Sequence, residues 1–245
     1  ILTKRDQFAA ELEELAGNEE NINKLAKEIE KKEKIVAKLA IELADMREIG
    51  AKALKQGVEK ELKELHMNGV RFGVDFNYPP DPQGFVKYHR EKLKPTSIGL
   101  GTLEFLFSPN PGEELRPLAK IASGGELSRI MLALKSILNK QDTIPVMIFD
   151  EVDTGIGGRI AEKVGTKLKK VAETKQVFCI THLPQIAGMA STHYRVEKNV
   201  QGKRTRAGIR QLEFAERVEE LARMSSGEKI TEASLQHARE FISDH

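Results

Sequence analysis

The sequence predicts an α/β fold: helices covering a parallel sheet, with one long coiled-coil helix on the N-terminal side. Three observations carry this expectation. The stretch to about Leu65 has no proline, is rich in Glu, Lys, Ala and Leu, and repeats apolar residues in steps of three and four. Two apolar runs, 146–149 and 177–180, flank a helical pattern, which is the strand–helix–strand order of a parallel pair. Between these regions, 70–76 and 103–107 alternate apolar with other residues, as strands do.

In the first stretch, Ile22, Leu25, Ile29, Val36, Leu39, Leu43 and Met46 form a heptad seam, and Lys32 weakens it at one position. Near Gly50 the register shifts to Leu54, Val58, Leu62 and Leu65. Gly50 and Gly57 disfavour helix, so a break or stutter is expected there. The length and lack of caps favour a coiled-coil arm over a surface helix on a globular domain. One arm cannot bury its own seam, so it requires a partner strand from upstream in the same polypeptide or from another chain.

Val70, Phe72, Val74 and Phe76 then form a strand, which Pro79, Pro80 and Pro82 end in a loop. Leu103, Phe105 and Phe107 form another, closed by the turn Pro109-Asn110-Pro111-Gly112. A helical run holds Ile130, Leu132, Leu134, Ile137 and Leu138, and a buried-type strand, 146–149, follows it. A helix over about 158–171 leads to the strand 177–180. The stretch 194–213 reads as a hairpin about Gln201-Gly202, and two short helices close the chain.

Composition sets limits. With 39 Lys and Arg against 37 Asp and Glu among 245 residues, the formal net charge is +2, so any nucleic-acid site must be a local patch. Cys179 is the single cysteine, which excludes an internal disulfide and fits a reducing, cytoplasmic setting. No apolar run spans a bilayer and no signal-peptide pattern opens the chain, so no membrane partner is expected. The chain starts at Ile1 inside a helical pattern and without Met, which leads us to expect a fragment.

Three motifs carry chemistry. Ser123-Gly124-Gly125-Glu126 opens the 130–138 helix as a capping box, with Ser123 as N-cap. Capping does not explain paired glycines in a first turn. They let a phosphate approach backbone N–H groups at the positive helix end. The tetrapeptide is similar to the signature motif of ABC-type ATPases. The strand 146–149 ends in Asp150-Glu151 and resembles a Walker B strand, although a strand entering a polar turn looks the same. In that resemblance Asp150 holds Mg2+, Glu151 activates the attacking water, and Asp153, in Val152-Asp153-Thr154-Gly155, lies in the D-loop that contacts the opposite subunit. His182 follows the strand 177–180. It is either a partly buried ring or the counterpart of the switch histidine that senses the terminal phosphate. Order decides: helix-opening Ser-Gly-Gly-Glu, then Asp-Glu, then His, each at a strand or helix end.

The strings 118–129, 149–158 and 181–185, with Glu104-Phe105-Leu106-Phe107-Ser108-Pro109-Asn110-Pro111-Gly112, resemble the RecN family of bacterial SMC-like ATPases. The match runs from about Phe72 onward, while the arm is similar in pattern only. The resemblance implies residues 1–66 as a returning coiled-coil arm and 67–245 as the C-terminal lobe of an ABC/SMC-type P-loop ATPase head. It implies ATP and Mg2+ as ligands, DNA double-strand-break repair and recombination, a nucleoid-associated place, and work beside the RecA recombinase. In a head-to-head dimer, Ser123, Gly124, Gly125 and Glu126 close over the nucleotide of the second copy, while Asp150, Glu151 and His182 serve their own. No Gly-x-x-x-x-Gly-Lys-[Ser/Thr] occurs in the chain, so the phosphate cradle is expected from the N-terminal P-loop half of the same protein. A transport cassette and a non-catalytic DNA-bridging clamp remain as rival readings, and the intact Asp150-Glu151 pair argues against the clamp.

Two basic clusters, Lys198, Lys203, Arg204, Arg206 and Arg210, and Lys87, His89, Arg90, Lys92 and Lys94, suit either DNA phosphates or a solvated face.

Overall fold

The computed structural model describes residues 2–120, 123–201, 204–227 and 229–243, excepting the side chains of 2–17, 19, 20, 199–201, 204–206 and 243. The first element, α1 (Leu2–Glu64), is one continuous helix of 63 residues. Of the break or stutter expected near Gly50, no break occurs, because an isolated helical glycine costs only about 1 kcal/mol and the turns on either side are good helix formers. At Gly57 the missing Cβ has a use: a methyl there would come within 3.2 Å of Ile137. The helix ends in a Schellman motif, with His66 left-handed at φ 59°, His66 N–H donating to Lys63 O and Met67 N–H to Leu62 O.

Residues 1–53 with 74–104 and residues 54–73 with 105–245 form two compact units. In the first, β2 (Val86–Tyr88) and β3 (Glu91–Leu93) make an antiparallel hairpin that the sequence pattern did not mark. Val86, Tyr88, Leu93 and Leu100 pack on Ala37, Ala40, Ile41 and Ala44 of α1, where small side chains permit close approach. The Tyr88 hydroxyl donates to Asp45 (3.0 Å) and Glu48 (3.2 Å), and Tyr78 donates to Glu48 (3.3 Å). Burial is the first cause that pushes the Tyr88 hydroxyl above its ordinary pKa, and its bonds to Asp45 and Glu48 add to it. The seam from Ile22 to Met46 stays exposed.

In the second unit, Val58, Leu62 and Leu65 at the end of α1 are buried. The central pair is parallel: β6 (Val146–Phe149) and β7 (Gln176–Cys179), with Met147 opposite Val177 and Phe149 opposite Cys179. Against it lie α2 (Gly124–Leu138) and α3 (Arg159–Ala172). Leu65, Leu132, Met147, Phe149, Val164 and Leu168 share one core with their neighbours. The other face does not match the buried-type reading. Val146, Ile148, Phe178 and Ile180 are exposed, because a parallel pair needs cover on both faces and the described residues cover one.

Two further strands, β1 (Arg71–Asn77) and β4 (Thr102–Ser108), join β5 (Arg116–Pro117) in the order β1-β4-β5. The short α4 (Pro184–Ala187) packs with α5 (Phe214–Ser226) and α6 (Glu232–Ser243) around Ala187, Val218, Leu221 and Ala238. The hairpin expected over 194–213 is present as β8 (Tyr194–Gln201) and β9 (Arg204–Gln211), paired antiparallel; Gly202 and Lys203 lie outside the described residues. Among the described residues no helix is long and apolar enough to cross a membrane.

Candidate functional site

The site is built where β6 and β7 end. After Phe149 the chain leaves the sheet at Asp150, whose Oδ1 accepts the Glu151 N–H (2.9 Å), and Glu151 adopts a left-handed φ of 57°. A non-glycine residue in that region is strained, so local contacts must hold it. Thr154 N–H closes the turn on Glu151 O (3.0 Å). Val152 and Asp153 turn inward and are buried, while Asp150 and Glu151 face outward.

The start of α2 meets this turn. Ser123 caps the helix, its hydroxyl accepting the Glu126 N–H at 3.4 Å. Ala122 lies outside the described residues. One turn on, Ser128 Oγ donates to Asp150 O (2.5 Å), and the buried Arg129 donates to Thr154 O (2.8 Å) and Val152 O (3.4 Å). The two glycines are where the turn comes closest. A Cβ on Gly124 would strike the Glu151 carboxylate, and one on Gly125 would lie 2.9 Å from Thr154 Cβ. At Gly125 glycine is therefore required by packing within the chain, while at Gly124 the exposed Glu151 side chain could turn aside, and both glycines suit an anion. Ser128 and Arg129 were not singled out from sequence, since a polar residue early in a helix carries no mark of the loop it will bind.

Within the segment likened to the D-loop, the Asp153 side chain turns into its own chain. It is 3% exposed, and its Oδ2 accepts from Thr181 Oγ (2.5 Å) and His182 N–H (2.9 Å) and lies 3.0 Å from His182 Nδ1. The His182 side chain is 72% exposed, so the ring projects outward from a buried anchor. Thr181 Oγ also accepts the Leu183 N–H (3.0 Å), fixing the corner after β7. Cys179 beside this corner is pushed up to about 12, first by burial and then by Asp153 and Asp150.

Asp150, Glu151, Asp153, Thr154, Ile180, Thr181 and His182 line an open groove of about 250 Å³. The structure thus brings Asp150, Glu151 and His182 to one groove and sets Gly124 against Glu151. Among the described residues no group of three or more His, Cys, Asp or Glu is arranged to hold a metal ion. A single outward carboxylate such as Asp150 fits Mg2+, which keeps waters and phosphate oxygens around one or two protein ligands.

The chain is similar to the DNA repair protein RecN of Bacillus subtilis, at 36% identity over 244 residues, 99% of this chain and 42% of that protein. It is similar to RecN of Rickettsia felis (44% over 204 residues, 83% and 35%) and of Streptomyces coelicolor (40% over 204 residues, 83% and 36%). The match to the Bacillus protein extends into the long helix, beyond the start at Phe72 read from motifs. Among solved structures it is similar to an Smc head domain with a coiled coil and joint from Pyrococcus yayanosii, at a TM-score of 0.47 and 18% identity over 74% of this chain and 30% of that one. No family model matches. The chain spans between 35% and 42% of the length of these curated relatives, and its likeness to RecN holds over that span.

Proposed function

We propose that this chain is the part of a RecN-type DNA repair ATPase that bears the signature helix, the Walker B carboxylates and the switch histidine. It hydrolyses ATP only when a P-loop lobe is paired with it. The observation that supports this reading best is the groove shared by Asp150, Glu151 and His182, with the α2 N-terminus beside it. Asp150 keeps Oδ2 free for Mg2+, which would neutralise charge on the phosphates. Glu151 orients the attacking water and takes its proton. Asp153 and Thr181 hold His182 so that its ring points at the terminal phosphate. Ser123, Gly124, Gly125 and Glu126 present the positive helix end to a nucleotide held by a second copy, in a head-to-head dimer. The arm and lobe divide near residue 66, the whole acts on DNA in the cytoplasm at the nucleoid, and a RecA-type recombinase works beside it.

The test is a mixing assay at fixed ATP and Mg2+. The chain alone should show no turnover, because a glycine-rich loop and its lysine provide most triphosphate affinity and no such motif occurs here. A separate P-loop lobe should restore hydrolysis, DNA should raise the rate, and Glu151→Gln should lower it by roughly 10² to 10⁴. Brisk turnover by the chain alone, lost in Glu151→Gln, would mean that the nucleotide binds elsewhere. Hydrolysis in the mixture unmoved by DNA would remove the DNA coupling.

A further inference from the structure

We propose that the β2–β3 hairpin contacts the DNA backbone, through Lys87, Arg90, Lys92 and Lys94. This deepens the reading above and rests on its DNA component. In the hairpin, Val86 pairs with Leu93 and both are buried, so Lys87 and Lys92, paired one step along, face outward together. Lys94, just past the end of β3, is exposed as well. Arg90 stands at the tip. The hairpin carries these four cations against one acid, Glu91.

Two features make this arrangement costly for folding alone. Like charges directly opposite each other on paired strands repel. The turn residues His89 and Arg90 both adopt left-handed φ, 48° and 71°, where Asn-Gly would fit without strain. Nor are the cations neutralised from the side. The carboxylates of α1 that face the hairpin, Asp45 and Glu48, are taken by the Tyr88 and Tyr78 hydroxyls and the His89 ring. Among the described residues no carboxylate pairs with Lys87, Arg90, Lys92 or Lys94.

The second basic hairpin differs. On β8–β9, Arg195 pairs with Glu197 and Glu220, and Arg210 pairs with Glu216. Lys203 and the side chains of Arg204 and Arg206 lie outside the described residues. Free positive charge set in a row is what a polyanion of regular charge spacing uses. With cations alone on the outward face, the contact reads phosphates and not base sequence.

The decisive variant is Lys92→Glu. It sets an acid opposite Lys87, so a purely structural hairpin would be stabilised and DNA binding left alone. The proposal expects the opposite pairing of results: an unchanged or higher melting temperature with weaker binding of a short duplex. Removing Lys92 and neutralising Lys87 should lower the slope of log K against log salt by nearly two, at about 0.9 per duplex phosphate contact or about 0.7 on single strands. Affinity at low salt should fall at least about tenfold, the gap closing as salt rises. Lys198→Glu on β8 is the matched charge change and should move the slope by less than half as much. An unchanged slope in Lys92→Glu, equal effects of the two variants, equal capture of polyglutamate, or no duplex binding by the parent chain would each overturn the hairpin contact. The wider DNA reading falls separately, if DNA leaves hydrolysis in the mixed-lobe assay unmoved.

Discussion

Two stretches of α1 carry the same apolar periodicity and meet different fates. From Ile22 to Met46 the seam residues are exposed, Leu39 at 59%. From Val58 to Leu65 they are buried, Leu62 completely. Periodicity therefore reports which face of a helix is apolar, and says nothing about what covers it. The first stretch makes the point twice over. Its buried face is the row Ala37, Ala40, Ile41 and Ala44, which the hairpin covers, while the larger side chains of the seam do not take part. Alanines at helical spacing look featureless in a sequence, yet they let another backbone approach closely.

The largest effect that would break this comparison is a pair of leucine truncations. Leu62→Ala should destabilise the second unit by about 2–5 kcal/mol, the cost of a buried leucine with its cavity. Leu39→Ala should change the stability of this chain by no more than about 0.5 kcal/mol, as exposed substitutions do. Urea unfolding followed by circular dichroism reads both. Equal losses would mean that the seam is covered, in solution, by another helix or a second copy.

The order β1, β4, α2, β6, α3, β7, β8, β9, α5, α6 was legible because strand alternation and helical spacing are local, whereas the two-residue β5 and the four-residue α4 are too short to show either. The convergence at the groove was legible too, since Asp150, Glu151 and His182 stand at strand ends, where a parallel pair presents them together. The β2–β3 hairpin was not legible. Its strands have three residues each, too short for alternation to register, and its turn is His-Arg, without the glycine or asparagine that marks such turns. The anchoring of His182 by Asp153 was not legible for a related reason. The partners of Asp153, Thr181 and His182, are 28 and 29 residues away, and only the pairing of β6 with β7 brings them to it.

A smaller effect sharpens the comparison through charge. In the buried stretch, Lys167 of α3 pairs with Glu61 and, at 2.7 Å, with Glu64. In the exposed stretch, Lys34 pairs with Glu30 across one helical turn at 2.6 Å. Lys167→Met should cost about 1–3 kcal/mol, because it leaves a partly buried carboxylate without its partner. Lys34→Met should leave stability essentially unchanged, because solvent screens an exposed pair. The Lys167 ammonium holds Glu64 below its ordinary value of 4.5. The stability from a carboxylate lowered on folding is present above that value and is lost as pH falls through the lower folded one. The gap between parent and Lys167→Met should therefore be full at neutral pH and narrow in acid. A gap constant from neutral to acid pH would show that the charge pair contributes nothing.

The smallest effect uses the two glycines behind the break or stutter expected in α1. Both lie inside one continuous helix, and neither has the positive φ that demands glycine. A Cβ at Gly50 meets nothing within 4 Å, whereas one at Gly57 comes within 3.2 Å of the Ile137 Cδ1 and 3.9 Å of its Cγ1. Alanine at either place gains helix propensity, about 1 kcal/mol, partly by narrowing the unfolded ensemble. At Gly50 nothing opposes that gain, so Gly50→Ala should raise the urea midpoint at constant slope. At Gly57 the isoleucine must shift by a few tenths of an ångström, so Gly57→Ala should gain less than Gly50→Ala, or lose stability if the side chain has no room to turn. A loss at Gly50 would restore the reading of that position as a break or stutter in the helix. A gain at Gly57 as large as that at Gly50 would mean that α1 does not lie tightly on α2 at this point.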